Sequence, residues 1–208
     1  MSENRQTRAL ASANVGCPLP EIVVPNHTFH LERIPTPTGV MLVVTDDGQR
    51  LRAVDWEDHE DRMRRLFRRR YGESAVALKD APRASAARRA LDAYFEGELD
   101  ALLQATVAAN GTPFQSEVWT ALREIPAGAT LSYGALASRI GRPKAVRAVG
   151  LANGANPIAL FVPCHRVIGA DSSLTGYGGG LNRKRWLLAH ERGDRAPFVQ
   201  QTQMEIAQ

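Results

Sequence analysis

The sequence predicts an α/β (α+β) protein in two parts, a small antiparallel sheet with helices followed by a mainly helical half. Two observations carry this prediction. The first half contains short apolar segments separated by turn residues, which is typical of strands. The second half contains apolar residues at three- and four-residue spacing, which is typical of helices. A chain of 208 residues is long enough for one large domain or two small ones.

Changes in composition divide the chain into four parts. Residues 1–26 mix Ser, Asn, Pro and charged residues without periodicity, so we expect a flexible arm there. We expect an N-terminal α/β domain at residues 27–104, a C-terminal domain at 105–193 and a tail at 194–208.

The N-terminal domain is predicted to begin as an antiparallel meander. Strands are expected at residues 31–34, 40–45 and 51–56, because the Pro- and Gly-containing run 35–39 and the Asp-Asp-Gly run 46–48 supply turn signals between them.

Two helices are expected next, at residues 57–71 and 85–96, with a loop at 72–83 between them. The first helix carries many arginines away from its apolar side. Solvated helix faces are commoner than DNA-binding ones, so we interpret these arginines as surface residues and expect no catalytic group from this domain. They are Arg62, Arg64, Arg65, Arg68, Arg69 and Arg70.

The C-terminal domain is predicted to contain a helix-turn-helix. Thr112 caps a first helix that begins at Pro113. Ser132 then caps a short helix at 133–140, and after Gly141-Arg142 a second helix runs from Pro143 to about Asn153. Two short helices with a tight turn have this form, and a generic helical hairpin is also consistent with the spacing.

The second helix of this pair suits close approach to DNA. Arg147 is expected to project from a surface of small residues, and a long cation of this kind can enter a base stack. The formal net charge of +4 also suits an anionic partner. We expect Val146, Val149 and Leu151 to pack inward. The small side chains of Ala145, Ala148 and Ala152 should let the helix approach the duplex closely.

A cysteine follows the apolar run 158–162, which we interpret as a strand. Cys164 lies behind a proline and directly before His165 and Arg166. A thiol reacts as its thiolate, and nearby imidazole and guanidinium groups lower the cost of that charge. A small buried core residue is the alternative interpretation.

Cysteine use and hydropathy exclude several classes of protein. The other cysteine is Cys17, so the sequence supports neither a disulfide framework nor a structural zinc site. No apolar stretch approaches the length of a membrane span, and the first residues have no apolar signal core. We therefore expect a cytoplasmic protein.

Five short motifs occur in one order along the second half. They are Gly-Thr-Pro-Phe-Gln at 111–115, Pro-Lys-Ala-Val-Arg-Ala-Val-Gly at 143–150, Ala-Asn-Gly-Ala-Asn-Pro-Ile at 152–158, Pro-Cys-His-Arg-Val-Ile-Gly at 163–169 and Gly-Tyr-Gly-Gly-Gly at 176–180. Together they resemble the O6-alkylguanine-DNA alkyltransferases, especially the bacterial stand-alone enzymes. The resemblance is close from about residue 111 to 191 and looser from 31 to 97. It implies a ribonuclease H-like N-terminal domain and a winged-helix-like helix-turn-helix.

The resemblance implies stoichiometric DNA repair without a cofactor. The alkyl group of O6-alkylguanine, and also of O4-alkylthymine, would move irreversibly to Cys164 and inactivate the protein. His165 would deprotonate the thiol through a water, and Glu191 would orient the imidazole. Some members hold zinc in the N-terminal domain, but with Cys17 as its single cysteine we expect no metal here. A monomer is expected, with cooperativity on DNA left open.

The resemblance also assigns the DNA- and base-binding groups. The second helix would enter the minor groove of double-stranded DNA, where Arg147 fills the stack left by a flipped nucleotide. Tyr133 would help rotate that nucleotide and hydrogen-bond guanine, and Asn156 would join the recognition helix to the active-site strand. Tyr177 and backbone groups of Cys164, Val167 and Gly178 would form the base pocket, and Ala145, Ala148 and Gly150 would lie against DNA with Arg147.

Several assignments have alternatives. Gly178 replaces a serine of some members, so we expect the pocket to admit bulkier alkyl groups. Arg166 is as consistent with an ion-pairing scaffold role as with stabilising the charge of the thiolate. Lys184 is interpreted as a surface or domain-packing charge, and Glu191 without the resemblance as an exposed helix end.

Other functions fit the sequence less well. A non-catalytic lesion binder of the alkyltransferase-like kind lacks the acceptor cysteine, so Cys164 argues against it. A cysteine hydrolase usually takes its histidine from a distant segment and needs an oxyanion hole. A transcription factor would bind the major groove with sequence specificity.

Overall fold

The computed structural model describes residues 27–72, 76–194 and 197–199. The expected arm with Cys17, and most of the expected tail, lie outside these residues. None of the helices in the described ranges is long and apolar enough to cross a membrane.

A four-stranded sheet forms the centre of the N-terminal half. β1 (His27–Thr36), β2 (Gly39–Thr45) and β3 (Leu51–Trp56) pair antiparallel in sequence order, as the predicted meander requires. β4 (Val76–Asp80) lies parallel to β1 at the sheet edge, so the predicted loop at 72–83 is wrong over these five residues. Its backbone bonds go to a strand far back in the chain, and local pattern does not show such pairing.

Helices cover both faces of this sheet. α1 (Glu60–Tyr71) follows a short 3₁₀ turn, and α2 (Ala86–Glu96) begins where the Ser85 side chain accepts a bond from the Arg88 amide. Side chains alternate between the two faces along each strand. Leu42 and Val44 therefore pack with α1, whereas Met41 and Val43 pack with α2 and the second half of the chain. The core of the C-terminal half is continuous with the apolar cluster that contains Met41 and Val43.

The C-terminal half is mainly helical, as predicted. α3 (Pro113–Arg123) begins with a capping box between Thr112 and Gln115, and α4 (Tyr133–Arg139) begins at the predicted cap Ser132. α5 (Val146–Gly154) starts three residues later than predicted, because Pro143 and Lys144 belong to the turn that precedes it. α6 (Leu181–His190) completes the set. α3, α4 and α5 pack against one another and present α5 at the surface.

The apolar run 158–162 is a buried turn, so the predicted strand is wrong. Ile158 makes a single bridge to Val54 of β3, after which the Phe161 and Val162 amides bond back to Ala159 and Ile158. A fully buried run gives no periodicity that separates a strand from another buried segment. A 3₁₀ turn (Cys164–Arg166) follows and leads into the two-residue strand β6 (Val167–Ile168), which pairs with β5 (Leu131–Ser132). Because the chain coils here, the neighbours Cys164 and His165 are both buried.

Candidate active site

Cys164 lies in the 3₁₀ turn with its thiol held by an amide. Asn156 Nδ2 lies 3.1 Å from Sγ and also donates to the Val162 carbonyl at 2.8 Å. Asn156 Oδ1 accepts from the Ile158 amide at 3.0 Å. Asn156 lies two residues after α5, so these bonds connect the end of that helix with the segment that carries Cys164. Its contact with the sulfur was not anticipated from the sequence.

His165 and Glu191 form a buried pair. His165 Nε2 lies 2.8 Å from Glu191 Oε1, and both side chains are fully inaccessible to solvent. The interpretation of Glu191 as an exposed helix end is therefore wrong. Arg166 Nε and Nη2 donate to the same carboxylate, and Arg166 Nη1 donates to the Ile125 carbonyl at 2.5 Å. These contacts confirm the ion-pairing scaffold role of Arg166.

The Glu191 carboxylate also receives bonds from two distant segments. The Tyr94 hydroxyl on α2 donates to Oε1 at 3.0 Å, and the Gly128 amide donates to Oε2 at 3.1 Å. No catalytic group is expected from the N-terminal domain on the basis of the sequence, but Tyr94 of that domain contacts this carboxylate across the interface. A tyrosine among the apolar residues of α2 is the one signal that pointed here, since a buried phenol needs a hydrogen-bond partner.

Burial and pairing set the protonation of these groups. Burial by itself would raise the pKa of Glu191, but His165 and Arg166 hold that pKa well below its ordinary value, so the group is a carboxylate. Burial lowers the pKa of His165 despite the neighbouring carboxylate, which makes its ring neutral at pH 7. We infer that the neutral ring carries its proton on Nε2 and donates a hydrogen bond from it to Glu191. Nδ1, which bonds to none of the described residues, then carries the lone pair.

The thiol is neutral at rest. Burial raises the pKa of Cys164, and the hydrogen bond from Asn156 and the charges of Arg62 and Lys184 only partly oppose this effect. A nucleophile with a raised pKa needs a base to become a thiolate when it reacts. The neutral ring of His165, the next residue in the chain, has an unpaired nitrogen of the kind that such a base needs.

A cavity of about 350 Å³ opens at Cys164. The structure places most of the expected base-binding residues around it, whereas Val167 is buried and does not line it. The hydroxyl of Tyr177 is buried and makes no hydrogen bond within the described part of the chain. The lining includes Tyr133, Gly150, Asn156, Cys164, Tyr177 and Gly178, together with Arg62 from α1.

Lys184 is buried, so its interpretation as a surface charge is wrong. Its Nζ donates to the carbonyls of Val167 and Thr175, each at 2.7 Å. Burial lowers the pKa of this amine. Lys184 thereby joins the backbone of β6 to the backbone two residues before Tyr177.

α5 presents a mixed surface to solvent. Arg147 and Ala148 are exposed, and Ala145 and Gly150 are half-buried. Val149 packs inward as predicted, but Val146 and Leu151 are 40% and 72% exposed, so their predicted inward packing is wrong. α5 packs on α3 and α4 with one side only. Arg147 and Leu151, four residues apart, share the outer face.

The described residues also bear on metal binding. Within 27–72, 76–194 and 197–199, no three His, Cys, Asp or Glu side chains lie close enough together to hold a metal ion.

Comparison with known proteins shows similarity over both halves. Residues 113–193 match the family described as 6-O-methylguanine DNA methyltransferase, DNA binding domain, and residues 31–105 match its ribonuclease-like domain. The methylated-DNA–protein-cysteine methyltransferase of Salmonella typhimurium is 50% identical over 160 residues, which cover 77% of this chain and 94% of that protein. The Mycobacterium tuberculosis protein of the same name is 61% identical over 107 residues, covering 51% of this chain and 64% of that protein.

A solved structure has a similar fold. The crystal structure of Mycobacterium tuberculosis OGT in complex with DNA superposes with a TM-score of 0.66 at 42% identity, covering 79% of this chain and 94% of that chain.

Proposed function

Because this chain belongs to the 6-O-methylguanine DNA methyltransferase family, we propose that it repairs DNA by moving an alkyl group from O6-alkylguanine to Cys164. The observation that carries the assignment to this residue is the thiol itself, which lines a cavity next to the buried pair of His165 and Glu191. An S–C bond forms as the O6–C bond breaks, and the electron pair of that bond stays on O6 of guanine, which remains in the DNA. The resulting thioether does not regenerate the thiol, so each molecule acts once.

The proton of the thiol has a defined destination. The neutral ring of His165 accepts it at Nδ1 through a water, and the charge that develops on the ring is stabilised by the carboxylate of Glu191. Because Arg166 keeps Glu191 ionised, the ring is held in the tautomer that leaves Nδ1 free. This division of roles accounts for a carboxylate, an imidazole and a guanidinium in one buried cluster.

DNA approaches over α5. A base in a duplex does not reach a buried thiol, so the damaged nucleotide is rotated out of the helix. Exposed Arg147 fills its place in the stack from the minor groove, and Leu151 on the same face adds an apolar contact. Tyr133 lines the cavity and lies against Gly150 of α5, where its ring meets the rotating nucleotide and its hydroxyl bonds the base. Tyr177 walls the pocket. One monomer suffices for this reaction.

Intact mass after incubation with duplex DNA containing O6-methylguanine tests the proposal. One added methyl group per protein molecule is expected, mapped to Cys164 by peptide analysis. Cys164→Ser should show no adduct, whereas Cys17→Ser should react as the unchanged protein does. The same assay with O4-methylthymine tests the second lesion. An absence of adduct on the unchanged protein would refute alkyl transfer.

A further inference from the structure

Gly178 has no side chain, yet the space beside it is filled. A Cβ atom at this position would overlap the guanidinium group of Arg62. The backbone of Gly178 is not in the left-handed region, so geometry alone would permit another residue there. The open space expected from the sequence is therefore occupied by a side chain from the other domain.

Arg62 is held in this place by a buried acid. Asp55 Oδ2 accepts from Arg62 Nε at 3.0 Å and from Nη2 at 2.9 Å. The Asp55 side chain is 2% exposed, and the Arg62 side chain 21%. Displacing Arg62 would strand a buried carboxylate, which is costly. The guanidinium is thus a fixed part of the wall rather than a mobile surface group.

The loop that carries Gly178 is fixed against the same domain. The Trp56 ring lies 5.9 Å from the Tyr177 ring and leaves no room for a Cβ at Gly179. Arg183 stacks over Trp56 at 4.9 Å and donates to the Thr38 and Gly179 carbonyls. This contact holds the segment of Tyr177 and Gly179 against Trp56, so the cavity cannot widen by a shift of that segment. The width of the cavity beside Gly178 therefore depends on Arg62.

We propose that Arg62 is a specificity-determining residue, whose guanidinium restricts the size of the alkyl group that reaches Cys164. This inference rests on the proposed function. A methyl group fits while the pair of Arg62 and Asp55 stays intact. A benzyl group requires the pair to separate. The size of the pocket is therefore determined more by the side chain at position 62, in the N-terminal domain, than by the side chain at position 178.

The test compares rate constants for transfer from O6-methylguanine and O6-benzylguanine placed in the same duplex. Arg62→Ala should raise the benzyl-to-methyl ratio by about tenfold or more, a usual range for discrimination by pocket size. Any loss of DNA affinity acts on both substrates and cancels in the ratio. Because Arg62→Ala strands Asp55, the ratio is also measured in Asp55→Asn/Arg62→Ala, where it should rise equally. Arg64→Ala, a change on the same helix but outside the cavity, should leave the ratio unchanged.

A second readout uses residue 178 directly. Gly178→Ala should slow methyl transfer in the otherwise unchanged protein, because the new methyl group collides with Arg62. The same change should have little effect beside Arg62→Ala, which removes the collision. An unchanged ratio in both Arg62 variants, or equal effects of Gly178→Ala in the two backgrounds, would overturn the inference. Failure of the unchanged protein to accept either group would instead refute the proposed function.

Discussion

The hydroxyl of Tyr94 donates a 3.0 Å hydrogen bond to Glu191 Oε1, the oxygen that also pairs with His165 Nε2. A residue of the N-terminal domain therefore contacts the carboxylate that orients the proposed base. The contact makes this domain part of the active site as well as part of the core.

Tyr94→Phe should slow alkyl transfer by roughly fivefold, because it removes one hydrogen bond, worth about 1 kcal/mol, from the positioning of Glu191. Tyr94 acts on Glu191 and, through it, on the proton acceptor His165, and it does not contribute to DNA binding. Free O6-benzylguanine and modified duplex should therefore react more slowly by the same factor. Slowing confined to the duplex would contradict this role.

The pH profile separates positioning from a general loss of structure. His165 has a lowered pKa, so the base stays neutral and the rate should hold on acidification until the pH is below about 6.5. Without the Tyr94 hydroxyl the carboxylate is more basic and favours the charged ring. The acid limb of Tyr94→Phe should accordingly move to higher pH. A limb in the same place would indicate a purely structural role.

Arg147→Ala should slow the repair of duplex DNA much more than the reaction with free O6-benzylguanine. The side chain is exposed on α5 and lies outside the cavity, so its loss affects nucleotide rotation and leaves the thiol as it was. Arg185→Ala, an exposed arginine on α6, is the matched control and should slow neither reaction. Equal slowing of both substrates by Arg147→Ala would exclude the proposed role.

Glu191→Gln should lower the free energy of unfolding by about 3 kcal/mol at pH 7, because it leaves Arg166 buried without its ion pair. The folded pKa of Glu191 is lowered, so its carboxylate stabilises the fold above the unfolded value of about 4.3. That contribution is lost as the pH falls through the folded pKa. Urea unfolding between pH 7 and pH 3 should show the difference from the unchanged protein shrinking on acidification. Glu124→Gln, at an exposed position, should show no such difference.

Elements whose signals are local could be predicted from the amino-acid sequence. Thr112 and Ser132 cap their helices through bonds that span three residues, and the turns of the meander lie between adjacent strands. The thiol and its neighbouring imidazole likewise lie side by side in the sequence, whereas the class of reaction was predicted from the resemblance carried by five motifs between residues 111 and 180. Interactions between residues that are three or four positions apart are visible as a local pattern of residue types.

The groups that meet at the site from distant segments could not be predicted, because packing brings them together. Arg62 and Lys184 have the sequence pattern of surface charges, but Arg62 fills the space beside Gly178 and Lys184 is buried with its amine bonded to two carbonyls. Burial of a charge depends on whether an opposite charge or an acceptor is placed beside it by packing. Those partners come from other elements, so no local pattern specifies them.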